Sequence, residues 1–202
     1  MGHEIPKTID GWYSRGYLPH FEAIGTIQSV MFRLGDSLPH NKLEQLELEL
    51  ATMSKTGAEL ERRKHIEKWL DAGSGSCVLR HPQIAQMVEN TLLRLDGDRY
   101  RLIAWCIMPN HVHVLVEPLA PLSSIVQSWK SYTGRAGRKI SYELGFTIPE
   151  HGFWMREYWD RFIRNEQHFQ QVITYIHENP VKAGLCDVPE AWQWSSAFGG
   201  NP

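Results

Sequence analysis

The stretch from residue 99 to residue 117 constrains the fold more than any other part of the chain. Residues 99–107 and 111–117 both read as strands, and Pro109-Asn110 between them suits a tight antiparallel connection. Side chains alternate along a strand, so Val112, Val114 and Val116 share one face of the second strand. His111, His113, Leu115 and Glu117 share the other. The valine run would hold the two histidines rigidly on a core. A strand pair of this kind, set among segments of helical period, argues for a compact α+β domain with an antiparallel sheet.

The flanking segments supply the helices. Residues 26–34 read as a first strand, closed by Gly35-Asp36-Ser37 and Pro39. Leu43, Leu46, Leu50 and Met53 then fall at helical spacing behind Asn41, and Ile66, Trp69 and Leu70 mark a second helix over 58–71. Pro82 opens a third helix with Ile84, Val88, Thr91 and Leu95 on its inner side. Ser123 is placed to cap a fourth, whose inner face is predicted to be Ile125, Trp129, Tyr132 and Ala136. An aromatic loop (Phe146, Phe153, Trp154, Tyr158, Trp159) leads to a last helix over 165–178. Its stripe is Phe169, Val172, Ile173 and Ile176, with Pro180 as its stop. Residues 1–20 lack periodicity and read as an irregular arm, leaving 21–202 as one domain.

Composition narrows the function classes. With 21 Lys and Arg against 23 Asp and Glu, the 202-residue chain has a formal charge of −2, which excludes a generally basic nucleic-acid coat protein. Cys77, Cys106 and Cys186 form no C-x-x-C, so neither a disulfide framework nor a cysteine zinc site is expected. Residues 1–10 carry no apolar signal core, and the most apolar window, 102–116, is too short to span a membrane. The expectation is a cytoplasmic protein without a membrane partner.

Three constellations could carry chemistry. His111 and His113 lie two apart on a strand, about 7 Å between Cα atoms, close enough for both imidazoles to reach one metal ion. Spacing alone leaves open whether they are ligands or two partly exposed sheet histidines. Tyr175 and Asn179 lie one helical turn apart beside the apolar stripe, with His168 on the same line. An amide carbonyl could add a third, oxygen ligand to the histidines, and the phenol could attack a phosphate. Tyr132, Tyr142 and Tyr158 are weaker rivals as nucleophile, having no amide or acid one turn on. Finally, residues 125–165 carry Lys130, Arg135, Arg138, Lys139, Arg156, Arg161 and Arg164 against four acids, a local +3, interleaved with Trp129, Tyr132, Trp154, Tyr158 and Trp159. Cations beside rings suit single-stranded nucleic acid, although solvated charges around core aromatics would give the same pattern.

Two longer motifs gather these residues. Met108-Pro109-Asn110-His111-Val112-His113-Val114-Leu115 and Tyr175-Ile176-His177-Glu178-Asn179-Pro180-Val181-Lys182-Ala183-Gly184-Leu185 resemble the REP-associated tyrosine transposases of the single-tyrosine HUH endonuclease superfamily. The resemblance implies a ferredoxin-like antiparallel sheet flanked by helices. It implies Mg2+ or Mn2+ held by His111, His113 and Asn179, and Tyr175 as nucleophile. The implied substrate is single-stranded DNA near a REP-like palindromic hairpin, cut and rejoined through a 5′-phosphotyrosine link, by a monomer or a homodimer. The seven cations listed above would contact the DNA. The competing readings are a non-catalytic hairpin-binding or regulatory protein on the same scaffold, and a metallohydrolase that uses water.

Overall fold

A computed structural model describes residues 11–14, 19–38, 40–147 and 152–199. The chain enters through a two-stranded ribbon, β1 (Trp12–Ser14) and β2 (Pro19–Phe21). Part of the arm read as irregular is therefore paired; Trp12 and Phe162 pack on Phe21, anchoring the ribbon where no strand alternation announces it.

The central sheet begins with β3 (Gln28–Arg33). Three helices follow: α1 (His40–Leu50), α2 (Lys55–Asp71) and α3 (Pro82–Leu93). Next come the hairpin strands β4 (Tyr100–Ile107) and β5 (His111–Pro118), then the long helix α4 (Leu122–Glu143). The strand β6 (Trp159–Phe162) and helix α5 (Glu166–Lys182) complete the order. The sheet runs β4-β5-β3-β6 with every neighbour antiparallel. Inserting the first strand between the third and the last is the ferredoxin-like arrangement, as expected.

The alternation in β5 decides which helices cover which face. Val112, Val114 and Val116, with Val30 and Phe32 of β3, form one core with α3 and α4 through Ile84, Val88, Leu92, Ile125 and Trp129. Trp129 Nε1 donates to the Tyr100 hydroxyl (2.9 Å), which donates to Leu92 O (2.6 Å), so the buried polar atoms there are paired. The opposite face carries His111, His113 and Leu115. There Ala104, Cys106, Met108 and Leu115 pack on Ile176 of α5, while Met31 packs with Ile66 and Leu70 of α2.

Four expectations are corrected. β6 was hidden in the aromatic loop because Trp-Asp-Arg-Phe is a four-residue edge strand without alternation. Tyr132 points outward at 50 % exposure, and Leu122, Val126, Thr133 and Gly137 fill the inner face of α4 instead. Ser123 lies inside the first turn of α4, with Pro121 at the N-cap position. Pro180 does not stop α5: a proline in the last turn costs one ladder bond, and the end closes beyond it through Ala183 N→Asn179 O (3.0 Å) and Leu185 N→Pro180 O (2.8 Å). Gly184 supplies the positive φ (67°) which that closure needs.

Candidate active site

The β3–β5 register sets the two histidines in a defined frame. His113 pairs with Met31 on one side and Cys106 on the other, and His111 pairs with Arg33. Their rings lie 4.8 Å apart, nearly perpendicular, and both are buried. Burial, and then the neighbouring His113, pushes the His111 pKa well below its ordinary value, so its imidazole is neutral at neutral pH. A neutral imidazole is the form that ligates a metal.

Asn110 fixes which nitrogen of His111 is available. Its Nδ2 donates to Leu70 O (3.1 Å) and Ser74 O (2.8 Å), which makes Oδ1 an acceptor for His111 Nδ1 at 2.7 Å. His111 therefore carries its proton on Nδ1 and keeps the Nε2 lone pair free, the second-nitrogen arrangement that orients metal-binding histidines. Asn110 is fully buried in the β4–β5 connection. In sequence it read only as a turn residue; its polar side chain inside the histidine motif was the available signal.

Helix α5 brings Tyr175 of the second motif to His113. Asn165 caps it by accepting from His168 N (2.8 Å), and Ile176 anchors it on the sheet. The Tyr175 ring meets His113 edge-on at 5.5 Å. One turn on, buried Asn179 donates Nδ2 to Tyr175 O (2.8 Å), which leaves the amide oxygen outside that bond. Among the described residues no third His, Cys, Asp or Glu joins the histidines, so an amide oxygen is the chemically suited addition. Lys182, in the same motif, places its Nζ 5.3 Å from the Tyr175 ring centroid and 2.9 Å from Glu178. The ammonium over the ring face is a cation–π contact.

Ser29, His113, Arg161, His168 and Tyr175 line a cleft of about 350 Å3 between the sheet, α2 and α5. The seven cations separate. Arg161 joins this cleft; Lys130, Arg135, Arg138 and Arg156 line another, on the α4 side. Lys139 faces Glu143 at 3.9 Å, and Arg164 opens the turn into α5; neither lines either cleft. Most of the interleaved aromatics are core: Trp129 and Trp154 are buried, and Trp154 Nε1 donates to Thr133 Oγ1 (2.8 Å). Tyr132 and the largely exposed Tyr142 ride on α4, across the sheet from the histidines.

An antiparallel α+β sheet with two buried histidines on an inner strand and a tyrosine on the last helix defines a class, and comparison with known proteins agrees on it. Residues 80–179, the span from the turn before α3 to Asn179, match the family described as "Transposase IS200 like". More particularly, the chain is similar to REP-associated tyrosine transposases. It is 27% identical to a putative REP-associated tyrosine transposase of Haemophilus influenzae, over 51% of this chain and 69% of that protein. It is 24% identical to a REP-associated tyrosine transposase of Escherichia coli, over 55% of this chain and 63% of that one, less than two thirds of its length. A solved REP-associated tyrosine transposase bound to a REP hairpin shares the fold, with a TM-score of 0.54 at 18% identity across 93% of this chain and 88% of the other.

Proposed function

We propose that this transposase-family protein cuts and rejoins single-stranded DNA beside a REP-like hairpin, through a 5′-phosphotyrosine intermediate and with a divalent metal ion. One observation carries the reading: the Tyr175 ring stands 5.5 Å from His113, which stands 4.8 Å from His111. The hairpin partner is suggested by the relative that was solved with one.

In the proposed reaction Tyr175 Oη attacks a backbone phosphorus and loses its proton. A new O–P bond forms as the bond from phosphorus to the 3′-oxygen breaks, and that oxygen takes a proton and leaves as a 3′-OH. The strand on the 5′ side departs free, and the other is held on the tyrosine. Attack by a 3′-OH reverses the chemistry and rejoins DNA, so the bond energy is conserved without a nucleotide cofactor. The free phenol, with a pKa near 10, is a weak nucleophile at neutral pH, and Lys182 places a cation 5.3 Å from its ring centroid. Arg161 brings a cation to the cleft that the phosphate would enter.

The residues that would hold Mg2+ or Mn2+ in this reading are neutral His111 with Nε2 available, His113 beside it, and Asn179 through its amide oxygen. Such an ion would polarise the phosphate oxygens. The tyrosine ring and both imidazoles come together within one chain.

The test is incubation of the protein with Mn2+ and a 3′-labelled single strand carrying a hairpin. An adduct that survives SDS, together with a free 3′-OH product, is expected. Hairpin binding without cleavage under any divalent ion would favour the regulatory reading, and cleavage without an adduct the water-using one.

A further inference from the structure

A cleft of about 560 Å3 opens on the α4 side, across the sheet from Tyr175. Lys130, Gly134, Arg135 and Arg138 fall at helical spacing, so α4 turns one cationic face toward it, and Arg156 adds a charge from the facing segment. Gly134 lies in the lining, where a Cβ would stand 3.4 Å from Trp154 Cδ1.

This cationic wall surrounds one acid. Glu157 is only 6% exposed, and its Oε2 is fully buried and accepts no hydrogen bond. His20 Nε2 stands 3.5 Å from that oxygen, and His20 commits its other nitrogen to Asp160. A buried carboxylate oxygen left without a donor is costly in a fold, and its cost is recovered when a ligand supplies the donor. Burial also pushes Lys130 down to about 8, so an incoming phosphate would strengthen its charge.

Cations that suit phosphates, around an acceptor that needs N–H donors, describe a nucleotide unit of a single strand. Among the natural bases only guanine sets two adjacent donors, N1–H and N2–H, on its pairing edge, the match for a carboxylate. Thymine places one N–H between two carbonyls, and adenine and cytosine set an acceptor nitrogen beside their amine. We infer that this cleft is a second DNA-contact site which holds an unpaired guanine, its N1–H/N2–H edge on Glu157 and its flanking phosphates on Arg135, Arg138 and Arg156. The class of ligand rests on the proposed function; the base preference rests on Glu157 alone.

The experiment measures binding of the full chain, by fluorescence anisotropy, to oligo-dT of about twelve nucleotides with one central dG, dI, dA or dC. The dG strand is expected to bind about tenfold more tightly than the dA or dC strand, with dI, which lacks the N2 amine, between them. Glu157→Gln should shrink that preference to about twofold or less. Arg135→Ala and Arg138→Ala, both at exposed positions, should weaken all four strands alike and lower the salt dependence. Equal affinity for all four strands, or a dG preference unchanged in Glu157→Gln, overturns the inference. If the Tyr175 adduct still forms with a hairpin substrate in that case, only the guanine site falls. If no strand binds and no adduct forms, the proposed function falls with it.

Discussion

Replacing Asn110 with alanine removes three hydrogen bonds at once, two of them buried and one partly so: two donated, to Leu70 O and Ser74 O, and one accepted from His111 Nδ1. None of the groups left behind can turn to water easily, since Asn110 and His111 are both buried and the bonds tie the β4–β5 connection to the end of α2. At about 1 kcal/mol net for each bond, the loss is about 3 kcal/mol. For a chain of this size that lowers the melting temperature by about 6–12 °C. The imidazole also loses the partner that fixes its tautomer, so Mn2+ affinity should fall about 10–100-fold. Circular dichroism melting gives the first number and calorimetric Mn2+ titration the second. Asn110→Asp separates the two effects: it keeps an acceptor for His111 but sets a carboxylate against two carbonyls. It should therefore unfold at least as early while losing less metal affinity. A melting temperature within about 2 °C of the parent and unchanged Mn2+ binding in Asn110→Ala would refute the reasoning.

Gly137→Ala puts a Cβ 2.5 Å from Phe153 Cζ, so urea unfolding should register a loss of about 1–3 kcal/mol. Burial, then Glu67, raises Asp71 at the end of α2 to about 6 from 3.8. Its contribution to stability is present below the unfolded value and is lost as pH rises through about 6. Asp71→Asn should thus gain about 1 kcal/mol at pH 7.5, after allowance for solvent screening, and flatten the stability profile between about pH 4 and 6 in denaturant titrations. Lys182→Gln removes the cation over the Tyr175 ring and should slow adduct formation about two- to fivefold in single-turnover assays, with the fold intact.

The sheet and the histidine face were legible because strand alternation is a local property: Val112 to Val116 determine one core and leave His111 and His113 on the other face. The α5 stripe was legible for the same reason, and with it the position of Tyr175 beside the core. What escaped depends on partners distant in the chain. β6 exists because β3 offers Phe162 and Asp160 a ladder, with Gln28 and Val30 opposite them. The role of Asn110 appears only when α2 presents Leu70 O and Ser74 O across forty and thirty-six residues. The basic, aromatic stretch mixed two populations that only tertiary structure separates. Trp129 and Trp154 serve the core, while Lys130 and Arg135 on the same helix face a cleft. The juxtaposition of Lys182 with Tyr175 crosses nearly two turns of helix and needed the chain to stay helical past Pro180.

Site mapping of the covalent adduct tests the central claim most directly. After reaction with Mn2+ and a hairpin-bearing strand, proteolysis and mass spectrometry should find the nucleotide mass on the peptide that contains Tyr175, and Tyr175→Phe should yield none. Attachment to Tyr132, Tyr142 or Tyr158, or an adduct that persists in Tyr175→Phe, would contradict it.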